Sequence, residues 1–189
     1  MNAVRPLKAP TLYEQLLALP ENLTGEIIDG ELHAQPRPTG RHVNAELGLG
    51  VNLRIPFHKG QGGPGGWWIE AEPEVHFIRD SVVAVPDLAG WRRERMPELP
   101  EDHRFEAVPD WVCEILSPST ARKDRIQKMR LYAEYKVAHA WLIDPLARTL
   151  EAFSLREAGW LLIAMLNDDD PVSVPPFDAV TFSLADLWG

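Results

Sequence analysis

Cysteine is almost absent from this chain of 189 residues: Cys113 is the only one. No disulfide can therefore form within the chain, and the cysteine cluster of a structural zinc site is missing. Cys113 lies in the apolar run Trp111-Val112-Cys113. In that setting we expect a small buried hydrophobic residue rather than a reactive thiol.

Long hydrophobic runs are also missing. A membrane-spanning helix requires roughly 18 continuous apolar residues, whereas the longest apolar run, Trp160–Leu166, has the length of a strand. The first residues, Met1–Pro6, lack the apolar core of a signal peptide. We therefore expect a cytoplasmic protein that does not bind membranes.

Positive charge is in short supply. The chain has 28 acidic residues against 19 lysines and arginines, which gives a net charge of −9. This balance disfavours nucleic-acid binding, which depends on lysine and arginine neutralising phosphates. A local basic strip would remove the objection. The two candidates are the sets Arg92, Arg93, Arg95 and Arg122, Lys123, Arg125, and each could equally be a solvated face.

Three familiar catalytic motifs are absent. The glycine-rich segment 60–66 has no Lys-Ser/Thr ending, so it is not a phosphate-binding P-loop. Ser117 and Ser119 lack the Gly-x-Ser-x-Gly turn of a serine hydrolase. The six histidines show no close metal-ligand spacing, and we expect His42, at a helix start, to be structural or a weak phosphate contact.

The patterns that are present predict one α/β domain over residues 1–189, with a mixed central sheet flanked by helices. Strands are predicted both before and after one central helix, which disfavours a doubly wound fold. Thr11 and Glu14 have the spacing of a helix capping box. Asp29-Gly30 between apolar segments predicts a hairpin.

Two helices follow from the spacing of apolar residues. A helix is predicted from Arg41 to about Phe57, because apolar residues recur along one stripe. That stripe comprises Val43, Leu47, Val51 and Ile55. A second helix is predicted from about Ala121 to Tyr135, with Thr120 as its cap. We expect residues 91–109 to form a long loop, and Trp67–Ile78 to be one strand or a kinked pair.

Two carboxylates stand among strand hydrophobics. Glu114 shares a predicted strand face with Val112 and Leu116, and Asp87 ends the apolar run that begins at Val82. A buried carboxylate costs on the order of several kcal/mol unless it is paired. Each could pair with an arginine or cap a loop. If sheet pairing brings them together, they offer the hard oxygen ligands that Mg²⁺ accepts.

Asp124 and Lys128 stand at positions i and i+4 of the second helix. Both side chains then project from one helix face. From spacing alone the preferred interpretation is an exposed ion pair, worth about 0.3–0.5 kcal/mol.

Several motifs together resemble the Uma family of restriction-endonuclease-like proteins. They are Glu26-Ile27-Ile28-Asp29-Gly30-Glu31-Leu32, Pro86-Asp87, Glu114-Ile115-Leu116-Ser117-Pro118-Ser119-Thr120, and the later residues Asp124, Lys128, Tyr132, Val137 and Trp141-Leu142-Ile143-Asp144-Pro145. The resemblance runs from about Tyr13 to Leu187. It implies a branch of the PD-(D/E)XK nuclease superfamily with a restriction-endonuclease-like fold.

In that superfamily a Pro-Asp and a Glu-x-Lys on neighbouring strands bind Mg²⁺ and position the attacking water. The resemblance assigns these roles to Asp87 and Glu114. This chain departs from the pattern, since Leu116 stands where the lysine is expected. The resemblance suggests that Lys128 on the following helix replaces it. Glu26 is a candidate further carboxylate, or else a hairpin residue that faces solvent.

The implied function is a Mg²⁺- or Mn²⁺-dependent endonuclease that hydrolyses DNA phosphodiester bonds. Asp87 and Glu114 are the predicted metal ligands, and Lys128 and Glu26 are the further candidate catalytic residues. A homodimer is a further expectation, because restriction-type nucleases often pair to cut two strands. The alternative is a non-catalytic module that keeps the nuclease fold and binds protein or nucleic acid. The acidic charge and Leu116 favour this alternative.

Overall fold

Two β-sheets of five and six strands form the framework of residues 9–189, which are the residues that the computed structural model describes. Residues Met1–Pro6, on which the signal-peptide prediction rests, lie outside this range. Helices flank the sheets, so the predicted mixed α/β architecture is confirmed, although the strands divide between two larger sheets.

The chain contains thirteen strands and three main helices within the described residues. The five-stranded sheet has the order β2-β1-β5-β4-β7. Its strands are β1 (Leu23–Ile28), β2 (Glu31–Pro36), β4 (Glu74–Ile78), β5 (Val82–Ala84) and β7 (Arg104–Phe105). The six-stranded sheet has the order β11-β10-β9-β8-β6-β3. Its strands are β3 (Trp67–Ala71), β6 (Leu88–Arg92), β8 (Trp111–Ile115), β9 (His139–Asp144), β10 (Thr149–Arg156) and β11 (Gly159–Asn167).

The helices lie at the ends and in the middle of the chain. The first helix, α1, spans Leu12–Leu17, and α2 spans Gly40–Leu53 and continues into a π-helical turn, Arg54–His58. The third, α3, is α-helical over Ala121–Lys123, π-helical over Asp124–Lys128 and α-helical over Met129–Glu134. Strands β12 (Pro171–Val172) and β13 (Phe182–Ser183) pair as a small ribbon, and a 3₁₀ helix, Leu184–Leu187, follows.

The predicted hairpin and capping box are both confirmed. Asp29 and Gly30 adopt positive φ angles of 55° and 75°, the conformation that a two-residue hairpin turn requires. The Thr11 hydroxyl accepts from the backbone of Glu14, whose carboxylate in turn accepts from the backbone of Thr11. Thr120 is the N-cap residue of α3, as predicted, although its side chain makes no cap hydrogen bond.

The strand predictions around Asp87 need correction. Asp87 does not end a strand, because β5 stops at Ala84 and Asp87 immediately precedes β6. The residues 91–109 are not all loop, since β6 runs to Arg92 and Arg104–Phe105 forms β7. Residues 67–78 form two strands, which belong to different sheets.

The predicted apolar stripe of α2 faces outward. Its members, Val43, Leu47, Val51 and Ile55, are between 37% and 64% exposed. The face that α2 buries carries Ala45, Leu49 and Leu53 instead. Gly48 lies beside the C-terminal 3₁₀ helix, where an added Cβ would come within 2.7 Å of the Asp186 carbonyl oxygen. The helix is therefore held by close backbone approach as well as by large side chains.

Strand β8 has a different core on each side. Trp111, Cys113 and Ile115 pack into one buried cluster, whereas Val112 and Leu116 belong to another. Cys113 is fully buried, and burial together with the charge of Asp87 raises the pKa of its thiol well above the usual value. The expectation of an inert buried cysteine agrees with this position.

Strand β11 forms one edge of the six-stranded sheet. Its nine residues, Gly159–Asn167, include no charged residue. Leu161, Leu162 and Met165 on this strand are between 44% and 63% exposed. A free edge without charged residues is a template for pairing with another strand.

Among the described residues, no helix has both the length and the apolar character needed to cross a membrane.

Candidate active site

Asp87 and Glu114 are brought side by side by the pairing of β6 with β8. The antiparallel register places Leu88 opposite Cys113. Asp87 and Glu114 are therefore the next pair of facing residues on the two antiparallel segments. The Asp87 side chain continues the hydrogen bonding between the two segments, because its Oδ2 accepts a 2.6 Å hydrogen bond from the Ile115 backbone N–H. The two carboxylates therefore belong to one locality, as the motifs predicted.

Glu114 is buried, at 2% exposure. Its Oε2 accepts a 2.7 Å hydrogen bond from Lys128 Nζ, and its Oε1 accepts from the Tyr132 hydroxyl. Burial raises the pKa of Glu114 well above its ordinary range, against the opposing charge of Lys128. Both carboxylate oxygens thus already have a donor from α3.

Lys128 is the candidate replacement for the lysine missing at position 116, and it is only 1% exposed. Its Nζ lies 2.7 Å from Glu114 Oε2, 3.0 Å from Glu26 Oε1 and 3.1 Å from the Val85 carbonyl oxygen. Burial opposes the charged form, but the carboxylates of Glu114 and Glu26 outweigh it and raise the pKa of Lys128 well above normal. The ammonium is therefore held charged between two acids.

The interpretation of Asp124 and Lys128 as an exposed ion pair is wrong. Asp124 is 4% exposed and, like Lys128, belongs to the π-helical turn of α3. The turn directs Lys128 towards β8, because its side chain contacts Glu114. Burial raises the pKa of Asp124, while the charge of Lys128 opposes that rise.

Glu26 does not face solvent, although it lies in a hairpin strand. It is fully buried, and its Oε1 accepts a 2.9 Å hydrogen bond from the Val85 backbone N–H. Its Oε2 lies 2.5 Å from Lys123 Nζ. Burial raises the pKa of Glu26, but Lys128 and Lys123 outweigh it and lower the value to about 2. Glu26 is a fixed negative charge behind Lys128.

Asp87 is the member of this group that reaches open space. Its side chain is 17% exposed, and its Oδ1 lies 2.9 Å from His42 Nε2. Burial opposes protonation of the imidazole, but the hydrogen bond and charge of Asp87 raise the pKa of His42 overall. His42 is therefore the partner of a candidate metal ligand, a role that its position at a helix start did not reveal.

Asp87 lines a cavity of about 560 Å³, called the Asp87 cavity below. Its wall includes strand β2, the start of α2, and the residues that lead into α3. The lining side chains that can donate or accept hydrogen bonds are Thr24, His33, Gln35, Arg37, Thr39, His42, Glu72, Asp87, Ser117, Ser119, Thr120 and Lys123. Glu114, Lys128 and Glu26 are not part of this wall. They form a buried layer beneath Asp87.

Glu46 is a further member of the site that the sequence did not single out. It lies one helical turn after His42, and burial together with the charges of Asp87 and Glu72 raises its pKa to about 7. Its position four residues after His42 was the available signal. Sequence alone did not show which face of α2 meets Asp87, so the signal could not be used.

The residues fit a hard divalent cation by their chemistry. Asp87 and Glu114 carry carboxylate oxygens on neighbouring segments of the six-stranded sheet, and Asp87 opens onto the cavity. Within residues 9–189 no three His, Cys, Asp or Glu side chains are grouped as a complete metal site. A cation held here would accordingly use one or two carboxylates and keep several waters, which is the usual coordination of Mg²⁺.

Neither predicted basic strip is a free phosphate-binding surface. Arg92 and Arg93 lie over the rings of Trp67 and Trp68, and Arg95 pairs with Asp110. These residues are at the far end of β6 from Asp87. In the second set, Arg125 forms a bidentate pair with Glu151, and Lys123 bonds Glu26 and Gln35. Arg122 is exposed.

Comparison with known proteins supports the resemblance seen in the motifs. The family model Uma2, described as "Putative restriction endonuclease", matches residues 12–185. The fold is similar to a crystal structure from Anabaena variabilis, described as "a putative nuclease belonging to DUF820". The TM-score is 0.73 at 25% identity, and the match covers 95% of this chain and 97% of that chain. The comparison with curated proteins gives no match. The predicted family and fold class are thereby confirmed.

Proposed function

This chain belongs to the Uma2 family of restriction-endonuclease-like proteins, and from that premise we propose that it is a metal-dependent endonuclease that hydrolyses DNA phosphodiester bonds. The observation that supports the proposal is the arrangement of four ionisable residues. Asp87 opens onto a cavity, and Glu114, Lys128 and Glu26 form one bonded group directly beneath it. Burial of charged groups costs stability that pairing offsets only in part, and such clusters are common at functional sites.

Asp87 and Glu114 would hold the Mg²⁺ or Mn²⁺ ion in this proposal. When bound, such an ion lowers the pKa of a coordinated water and stabilises negative charge on a phosphate. For Glu114 to contribute an oxygen, it would exchange the hydrogen bond from Lys128 or from Tyr132. Asp87 keeps its orientation through the Ile115 backbone N–H.

Lys128 supplies a positive charge that the chain holds in place before any substrate arrives. Its Nζ is fixed by Glu114, Glu26 and the Val85 carbonyl, so little reorganisation is needed during a reaction. The ammonium would orient a water molecule or neutralise charge that develops on the phosphate. Glu26 acts through Lys128, whose Nζ lies 3.0 Å from Glu26 Oε1, and is therefore a positioning residue.

A cleavage assay tests the proposal. Plasmid, single-stranded and branched DNA are incubated with Mg²⁺ or Mn²⁺ and either the wild-type protein or Glu114→Ala. We expect metal-dependent cutting by the wild type and none by the variant. Circular dichroism of the variant checks that it folds, since Glu114 is buried. Equal cutting by both folded proteins would remove Glu114 from the mechanism.

The second candidate function is a non-catalytic module that binds protein or nucleic acid. The observation that favours it is the hydrogen bonding of Glu114, whose two carboxylate oxygens already accept from Lys128 and Tyr132. Leu116 in place of the superfamily's lysine points the same way. If the wild type cuts none of the DNA forms with either metal, this second function is the better account.

A homodimer is a separate proposal, based on the pairing of restriction-type nucleases that cut two strands. Sedimentation velocity over a range of protein concentrations tests it. A monomer at every concentration would exclude it.

A further inference from the structure

A second hollow adjoins the Asp87 cavity. Its volume is about 530 Å³, and it shares three lining residues with that cavity, namely Thr39, His42 and Ser117. A molecule whose phosphate lies at Asp87 would therefore extend directly into this second space. The continuity of the two spaces makes the hollow part of the surface that a substrate would cover.

The walls of the hollow are mostly apolar. Leu116, Pro118, Pro145 and Leu146 provide hydrocarbon surface, and Leu146 is 58% exposed. These four residues give no partner to a phosphate. They suit the flat apolar face of a nucleobase, and the hydroxyls of Thr39 and Ser117 at the boundary could bond a base edge.

Two exposed arginines lie at the outer end of the hollow. Arg41 lines it, and Arg41 and Arg148 together line a smaller cavity of about 210 Å³ that also contains Trp188. Among residues 9–189, neither guanidinium has an ion pair or a side-chain hydrogen bond. Both residues are exposed. Their charge complements the phosphates of a strand that continues beyond the hollow.

We propose that the apolar hollow receives an unpaired base of the DNA strand whose phosphate lies at Asp87, with Arg41 and Arg148 contacting the following phosphates. This inference rests on the proposed nuclease function. In a duplex the bases are stacked and paired, so a base can enter a side pocket only if it is unpaired or extruded. The substrate class is therefore DNA that is single-stranded at the cleaved position.

The charge of the protein is consistent with this substrate. Long duplexes are held mainly through many phosphate contacts, and this chain has a net charge of −9. Of the cations around the Asp87 cavity, Lys123 is neutralised by Glu26 and Arg37 bonds the Glu21 carbonyl. Base contact, rather than extensive phosphate contact, must then provide much of the affinity. Cutting a single DNA strand requires only one active site, so the inference does not depend on dimerisation.

Fluorescence anisotropy tests the inference with a short single-stranded oligonucleotide and its duplex, at low salt and with EDTA. We expect the wild type to prefer the single strand. Leu146→Glu should weaken that binding about fivefold or more, the scale of one lost base contact. The matched control is Leu161→Glu, because Leu161 is 50% exposed on the distant edge strand. This control should bind as the wild type does.

Arginine variants provide an independent test of the same inference. Arg148→Glu should weaken binding and reduce its dependence on salt, whereas Arg156→Glu, an equal charge change at another exposed arginine, should not. Tighter binding of the duplex, or an unchanged affinity in Leu146→Glu, would overturn the inference. So would an altered oligomeric state in Leu146→Glu, because the hollow would then belong to a second copy. Without metal, binding is measured apart from cleavage, so a failure of the nuclease function would be seen separately.

Discussion

Lys128 reaches Glu114 from the helix that follows the strand, with Nζ 2.7 Å from Oε2 and both side chains almost completely buried. In the Glu-x-Lys pattern the lysine would stand at position 116, two residues along the same strand. Here Leu116 is part of the apolar core, and the π-helical turn of α3 supplies the ammonium instead. The positive charge beside Glu114 therefore comes from the helix that follows the strand and not from the strand itself.

Replacing Lys128 with methionine should destabilise the fold strongly. The substitution keeps the length of the side chain but leaves Glu114 and Glu26 without their shared cation, and breaking a buried pair costs about 3 kcal/mol or more. Urea denaturation measures the free energy of unfolding. The control is Arg122→Met at an exposed position of the same helix, which should change stability by less than about 0.5 kcal/mol. Equal effects of the two substitutions would contradict the role of the buried pair.

Glu26→Gln should reduce stability by an amount that depends on pH. The folded-state pKa of Glu26 is lowered to about 2 from 4.5, so its charge stabilises the fold above pH 4.5, and that contribution is lost as the pH falls towards 2. The difference in unfolding free energy between wild type and Glu26→Gln should therefore be largest above pH 4.5 and shrink below it. A difference that stays constant over this range would show that Glu26 is not charged in the folded protein.

Glu46→Gln should have the opposite pH dependence. The folded-state pKa of Glu46 is raised from 4.5 to about 7, so the wild type loses stability as the pH rises from 4.5 through 7. The variant avoids this loss and should be the more stable protein above pH 7, while the two should be similar below pH 4.5. Thermal unfolding at several pH values measures the difference. Equal pH dependence of the two proteins would exclude Glu46 as a group that titrates near neutrality.

Asp87→Asn should weaken binding of Mn²⁺ at least about tenfold, because one charged ligand oxygen is lost. Isothermal titration calorimetry compares it with the wild type and with Asp169→Asn, which changes an exposed aspartate in a turn away from the site. If Mn²⁺ still binds Asp87→Asn, or if both variants lose binding equally, Asp87 is not the metal ligand.

The same substitution should lower the pKa of His42. The hydrogen bond and charge of Asp87 raise that pKa in the wild type, and asparagine supplies no charge. Histidine resonances followed by NMR over pH report the change directly. An unchanged titration of His42 would contradict the 2.9 Å contact.

Local patterns in the sequence were sufficient for much of the fold. The hairpin at Asp29-Gly30 and the box at Thr11–Glu14 were predictable because a few neighbouring residues determine each one. The outward stripe of α2 was not predictable in this way. Hydrophobic spacing predicted the helix through a stripe that includes Val43 and Leu47, which are exposed, whereas small residues such as Ala45 and Gly48 lie on the side that packs closely.

The site was predictable only in part, for a similar reason. Asp87 and Glu114 could be recognised because carboxylates are unusual beside strand hydrophobics, and the family motifs singled out Lys128. The contacts of Glu26 with Lys123 and Lys128 join residues about a hundred positions apart in the chain. The contact of His42 with Asp87, and the effect of Asp87 on Glu46, depend on how α2 packs, which spacing within α2 does not reveal.

The uncharged edge of β11 has a practical consequence for handling the protein. At neutral pH the net charge of −9 keeps separate molecules apart. Near the isoelectric point, about pH 5.1, that repulsion disappears while the nine-residue edge remains open. Solubility should then pass through a minimum. Leu162→Lys would place a positive charge on this edge strand and so reduce its pairing with other molecules during storage and crystallisation.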